Sequence, residues 1–471
     1  MSGPMSLEPG GAEQDTLALR LARPRPPRRR PRWALDDTTL AIRLPRRGPD
    51  EEAVSALAAE LADRVGPAVH PYEVAALLEA EGLSASAVSE RYGHPNLFSL
   101  ASALYERVPR TFPEPPAAAD PWRPDTVRCL LRGLLFALPA LAYLLTAPLW
   151  RADRHAAVLM VAGVVSWAWG QALGHRAYLR LVTGRREAAR TLLTGALLGA
   201  AVATALAALP AAGGPVTVVA AAQSLYLAAA GVLLVLGRER LLLAALSPLI
   251  AGASVLPWWE PGPVLRAGLV LLALLATLAV TARVLRAGLA VPAADGGPRP
   301  SPLASLPYGL FGLAAAVLVL LEGRRHPYAV IALTLSMGPA EWLLYRYRGW
   351  SVAALRASGT PRGFRFRSAA VLGACLGVYL LLLLPAALFT GAGPAGLLPL
   401  AAVLWTALLL QAFGMAWPPA VLCLAAAGGA GAVTWLDVPP GPAVLGPVCA
   451  LAALCLAVCA LRLLGRPSPH A

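Results

Sequence analysis

Apolar residues dominate the chain from Cys129 to Leu464, where they gather into about twelve stretches parted by short polar connections. The stretches fall near 129–150, 156–178, 191–211, 215–237, 241–257, 264–289, 303–321, 327–345, 369–390, 396–416, 419–436 and 443–464. Most approach the ~20 residues that a helix needs to cross a bilayer, and the fifth and eleventh are short. The pattern predicts an all-α polytopic membrane protein of about 12 transmembrane helices, with the first serving as its own insertion signal.

Upstream of Cys129 the pattern changes twice. Residues 51–110 place Ala, Leu and Val at helical spacing among acids. They predict a small cytosolic helical domain with helices near Glu52–Arg64, Pro71–Glu81, Ser84–Tyr92 and Asn96–Val108. Residues 1–50 have almost no apolar periodicity and carry the run Arg23-Pro-Arg-Pro-Pro-Arg-Arg-Arg-Pro-Arg32, which reads as a disordered basic Pro/Arg-rich tail. That segment lacks the apolar core of a cleavable signal peptide. Residues 111–128, with Pro113, Pro116, Pro121 and Pro124, read as a stiff linker.

Composition agrees with a bilayer as solvent. Of the 471 residues 57% are hydrophobic and 14% charged, too much apolar surface for one water-soluble core. The formal charge of +14 comes from arginine, since the sequence has no lysine. The arginines fall on alternate connections. Arg176, Arg180, Arg185, Arg186 and Arg190 follow the second stretch, Arg238 and Arg240 the fourth, Arg283, Arg286 and Arg299 the sixth. Arg346, Arg348, Arg356, Arg362, Arg365 and Arg367 follow the eighth, and the opposite connections hold only Arg151, Arg154, Arg324 and Arg325. This bias predicts a multi-pass plasma-membrane protein with both termini cytoplasmic and its basic face against lipid headgroups. Trp258 and Trp259 suit the outer interface.

The six cysteines all lie in apolar stretches without metal-ligand spacing, so they read as buried thiols. No Walker A loop or Rossmann fingerprint occurs, and no cofactor or metal is expected.

Six stretches occupy 129–290 and six occupy 303–464, joined by 291–302 and followed by a cytosolic tail, 465–471. The longest Arg-rich connections follow the second stretch of each half. Beyond them Gly195 and Gly199 match Gly373 and Gly377 in placement. A duplicated six-helix unit is expected, and two such halves rocking about a central cavity provide alternating access.

Two resemblances follow from particular residues. Tyr72-Glu-Val-Ala-Ala-Leu-Leu-Glu-Ala-Glu-Gly82, then Leu83 to Tyr92, then His94-Pro-Asn-Leu-Phe-Ser-Leu, resembles the helix-turn-helix of TetR-type regulators, with Gly82 in the turn and Ser84 capping the second helix. Nine acids against four arginines over 51–110, with only Arg91 on the would-be reading helix, argue against nucleic acid and for a packing or protein-contact module. The second resemblance rests on Val165-Ser-Trp-Ala-Trp-Gly-Gln171-Ala-Leu-Gly-His-Arg176, continuing through Gly184-Arg-Arg-Glu-Ala-Ala-Arg190. It is similar to the second helix and following connection of the MOP superfamily of multidrug, oligosaccharidyl-lipid and polysaccharide exporters, especially its polysaccharide branch. The second-half counterpart, Leu335 to Arg348, departs more, and the helical domain is not part of the family pattern.

Ionisable and polar groups within the spans are the candidate substrate path: Arg132, Gln171, His175, Arg176, Gln223, Glu341 and Arg346. The resemblance implies a cavity framed by the first, second, seventh and eighth helices, where Arg132 and Arg176 would hold a pyrophosphate or acidic sugar. Glu341 would balance an arginine, with Arg346 nearby, or carry a proton. Snorkelling of the arginines to headgroups is the plainer alternative. Pro139, Pro248, Pro339 and Pro385 are expected to kink or break their helices.

The expected function is non-enzymatic export of a polysaccharide or lipid-linked glycan, with glycan-synthesis proteins as partners of the helical domain. A membrane-tethered regulatory or assembly scaffold is the alternative. A membrane glycosyltransferase is a lesser one, since the outward connections offer only Asp153, Glu260, Glu322 and Asp437.

Overall fold

The computed structural model of the protein describes residues 50–111, 123–149, 152–211, 214–293, 301–436, 439 and 441–466. The basic tail before Asp50, most of the linker and residues 467–471 lie outside them. The described residues form two compact units, one within 50–111 and one from 123 onward. Helices and turns make up both, with no strand among the described residues.

In the N-terminal unit five helices follow the predicted periodicity: α1 Glu51–Glu60, α2 Ala62–Val65, α3 Pro71–Ala80, α4 Ala85–Arg91 and α5 Leu97–Arg107. Asp50, Ser84 and Asn96 cap α1, α4 and α5 by accepting hydrogen bonds from Ala53, Ala87 and Ser99 N–H. Gly82, at φ +74°, ends α3 in the left-handed turn expected of it. Val54, Val74, Leu78, Val88, Leu100 and Leu104 are fully buried and form a core belonging to this unit alone.

The second unit is a bundle of twelve segments in chain order: α6 Thr126–Ala137 with α7 Ala140–Thr146, α8 Ala152–Thr183, α9 Arg185–Ala211, α10 Pro215–Val235, α11 Glu239–Ala245 with α12 Ser247–Val255, and α13 Pro263–Leu289. Then come α14 Leu306–Gly323, α15 Pro327–Leu335 with α16 Met337–Arg356, α17 Pro361–Phe389, α18 Gly393–Ala412, α19 Trp417–Trp435 and α20 Leu445–Leu464. Among the described residues ten helical segments are long and apolar enough to cross a membrane. The fifth and eighth segments are the two outside that set, and both are broken. The chain is an all-α polytopic membrane protein.

Prolines explain the breaks. Pro339 has no N–H for the Leu335 carbonyl and its ring crowds that oxygen, so α15 stops at Leu335 and α16 starts afresh after Ser336. Pro139 and Pro248 act in the same way at the α6/α7 and α11/α12 junctions. Pro385 does not break its helix: it lies inside α17, which runs on to Phe389.

The Arg-rich connections are mostly helix rather than loop. Arg176 and Arg180 lie on α8 and Arg185, Arg186 and Arg190 on α9, with Gly184 alone between the helices. Likewise α16 runs on to Arg356, and residues 357–360 are all that separate it from α17. Arginine is a good helix former, so nothing in these runs stops the helices at the apolar boundary.

Contacts within the first six segments recur within the second six. First on fifth, second on third, third on fourth, fourth on sixth and fifth on sixth reappear as seventh on eleventh, eighth on ninth, ninth on tenth, tenth on twelfth and eleventh on twelfth. Between the halves the first segment packs on the eighth and the second on the seventh. Exchanging the halves maps each of these seams onto the other, the relation required by a parallel repeat.

Candidate functional site

The seam between the first and eighth segments carries the most concentrated buried charge among the described residues. Asp125 caps α6 by accepting a hydrogen bond from Arg128 N–H, and the four-residue spacing then puts Arg128 and Arg132 on one face. On the facing fifth segment, Gly237 at φ +66° closes α10, and Glu239 opens α11 in its first turn, where the helix dipole favours a carboxylate. A side chain at Gly237 would run into Arg128 Nη2 at 3.0 Å. Glu239 Oε1 accepts from Arg128 Nε at 2.9 Å and from Arg132 Nε at 2.8 Å. Arg132 reaches the other half through Nη1, which donates to Glu341 Oε1. Arg132, Glu239 and Glu341 are all buried.

Two cations and two anions thus alternate as Arg128, Glu239, Arg132, Glu341. Removing Arg132 strands buried Glu341, at a cost of about 3–5 kcal/mol, whereas Glu239 and Arg132 each have a second partner in the chain. Around this chain the backbones nearly touch. A Cβ on Gly133 would lie 2.7 Å from the Leu335 carbonyl oxygen, the one Pro339 cannot serve, and a Cβ on Gly338 would lie 2.8 Å from the Cys129 carbonyl oxygen. Trp342 Nε1 also donates across the seam to Thr126 Oγ1 at 3.2 Å.

The other seam, α8 on α14, is uncharged. Gly312 and Gly309 receive Gln171, Ala168 and Ala172. Nearby the His175 ring stacks on Tyr308 with centroids 3.8 Å apart, and His175 Nδ1 lies 3.0 Å from Ser305 Oγ.

The sequence candidates therefore divide. Arg132 and Glu341 meet directly, while Gln171 and His175 line the second seam. Gln223 lies within the first half, where its Nε2 donates to the Leu159 carbonyl at 3.2 Å. Arg176 is half-buried on α8 and has no place in the charged chain. Arg346 stacks on Trp342, 4.8 Å from the ring centroid, and is not the partner of Glu341. Five residues turn a helix through about 140° beyond a full turn, so the two side chains leave on different faces.

Glu239 and Arg128 were missed by sequence reading. The only local signal was an acid set between Arg238 and Arg240 in a basic connection. Glu322, expected in an outward connection, is instead buried on α14. Gly195 and Gly199 do meet Leu173 and Trp169 closely, whereas Gly373 and Gly377 face open space, so the matched glycine pairs do not share a packing role.

Inside the first half a cavity of about 140 Å³ opens among Phe136, Trp167, Trp169, Tyr226 and Leu242. Ser166 Oγ, Ser224 Oγ and Trp167 Nε1 belong to its lining residues and have no hydrogen-bond partner among the described residues.

Fold and site together define a polytopic helical bundle whose halves are tied by a buried ion pair. No protein-family model matches the chain, and no curated protein matches it. Among solved structures the chain is similar to an outward-facing multidrug resistance MATE family transporter of the MOP superfamily. The identity is 14% and the TM-score 0.37, over 72% of this chain and 95% of that one.

Proposed function

We propose that the protein is a non-enzymatic membrane transporter whose two six-segment halves move against each other, and that it exports a polysaccharide or lipid-linked glycan. The observation that carries this reading is the Arg132–Glu341 pair. It is buried, it joins the first half to the second, and it lies beside glycine contacts that allow the backbones to close. The arginine bias assigns this end of the bundle to the cytoplasm, so the pair is a latch on the inner side.

Separating the halves strands Glu341 and Arg132 unless water or a ligand replaces the lost partner. A phosphate or carboxylate on the cargo would take the place of Glu341 on Arg132, whose planar guanidinium binds such groups by two parallel hydrogen bonds. Cargo binding and opening are thereby coupled through one arginine.

The test is uptake of labelled lipid-linked sugar by purified protein in liposomes, with Arg132→Ala and Glu341→Gln compared with wild type. Loss of transport in Arg132→Ala and an altered rate in Glu341→Gln are expected. Wild-type rates in both variants would remove the pair from the mechanism, and no transport of any glycan by wild type would favour the scaffold.

A further inference from the structure

The N-terminal unit presents an aromatic ledge that its own core does not use. Val69, Tyr72 and Phe98 are 67%, 67% and 58% exposed. Tyr72 meets Phe98 edge to face at 5.7 Å, His70 lies against Tyr72 at 4.7 Å, and Val69 precedes His70 in the chain. The ledge is held rigidly, because Glu73 Oε2 accepts from Val69 N–H at 2.9 Å and Tyr105 Oη donates to the Val69 carbonyl at 2.7 Å. The unit as a whole is acidic, and Glu73 lies at the ledge itself. Residues 50–111 hold ten carboxylates against four arginines, and two of those arginines, Arg64 and Arg107, already face Glu81 and Glu51.

An exposed aromatic ledge in an acidic field suits a ligand rich in both proline and arginine. Proline offers a preformed extended segment for aromatic surfaces, and a guanidinium stacks on an aromatic face while pairing with carboxylates. The unit already uses that stacking, with Arg110 over Tyr105 at 4.4 Å. The chain supplies such a ligand itself. Residues 23–32 are six arginines and four prolines with no acid, joined to Asp50 through seventeen residues. A tether of that length spans up to about 55 Å and holds its end at roughly millimolar effective concentration.

We propose that residues 23–32 dock on the Val69, Tyr72 and Phe98 ledge of the same chain, with the arginines drawn to Glu73 and the other carboxylates of this acidic unit. The basic run is then not free to bind anionic lipid while docked.

The test places a photoreactive benzoylphenylalanine at position 98 of the full chain in detergent and maps the cross-linked peptides by mass spectrometry. Cross-links to residues 23–32 of the same chain are expected, with a yield independent of protein dilution. They should fall severalfold in 1 M salt and be lost when the six arginines become serine. A labelled peptide of residues 23–32 should bind at least about tenfold more tightly to a chain lacking residues 1–49 than to the full chain, and Tyr72→Ala, a surface change, should weaken that binding. Cross-links chiefly to a second copy or to other segments would overturn the proposal, as would equal peptide affinity for the two chains. Loss of the cross-link on adding phosphatidylserine vesicles, with the tail bound to them and no cis cross-link in neutral vesicles, would assign the run to the membrane instead.

Discussion

Gly133 and Gly338 face each other so closely that a Cβ on Gly133 would stand 2.8 Å from the Gly338 backbone nitrogen. Neither position has room for a methyl group, because the opposing atoms are backbone. Gly133→Ala and Gly338→Ala should each force α6 and α16 apart, at the ~1–3 kcal/mol typical of overpacking. Thermal melting in detergent should show both variants shifted down. An unchanged melting temperature would mean that the seam is looser than drawn.

The buried charges predict unequal mutant costs. Arg132→Ala strands Glu341, whereas Glu341→Gln leaves Arg132 its bonds to Glu239. Arg132→Ala should therefore be the more destabilising, by about 3–5 kcal/mol. The Arg132→Ala, Glu341→Gln double variant should cost less than the two single changes added together. Equilibrium unfolding of the four proteins gives the coupling directly.

Pro339 sets the break between α15 and α16, where Ser336 Oγ lies 3.0 Å from Tyr379 Oη. Pro339→Ala restores a donor for the Leu335 carbonyl and should fuse the two helices. Amide hydrogen exchange over residues 335–340 should slow by at least about tenfold, given the ~3 kcal/mol that proline costs inside a helix. Unchanged exchange would place the cause of the break elsewhere.

His94 makes the N-terminal unit sensitive to acid. Its buried ring faces Ser99 Oγ at 2.8 Å, and burial, with the charge of Arg107 nearby, holds its pKa below the ordinary 6.5. The unfolded chain then binds the proton more readily, so stability contributed by neutral His94 is complete above pH 6.5. It is lost as the pH falls from there through the lower folded value. His94→Gln should flatten the pH dependence of this unit's melting below pH 6.5.

Ser224 Oγ is buried in the first-half cavity without a hydrogen-bond partner among the described residues. Ser224→Ala removes an unsatisfied hydroxyl and should leave stability unchanged or raise it by about 1 kcal/mol. A clear loss would show that the hydroxyl is bonded, for example to a water.

The twelve segments were legible because hydropathy over some twenty residues is a local property, and so was the cap at Ser84. The charged chain was not, since Arg132 and Glu341 lie 209 residues apart and leave no periodic trace of their meeting. Reading Glu341 with Arg346 favoured nearness in sequence over helical angle. The close glycines were missed for a related reason: among 43 glycines, Gly133 and Gly338 are distinguished only by what stands opposite them.

The two halves share a contact plan but differ in stiffness. In the second, α18 is enclosed, with 78% of its apolar window buried and Trp405 wholly covered. In the corresponding place α10 is 50% buried and borders the cavity. Close-packed interiors resist compression, whereas voids yield to it. Under hydrostatic pressure the first half should therefore yield before the second, with the cavity beside α10 as the volume that is lost.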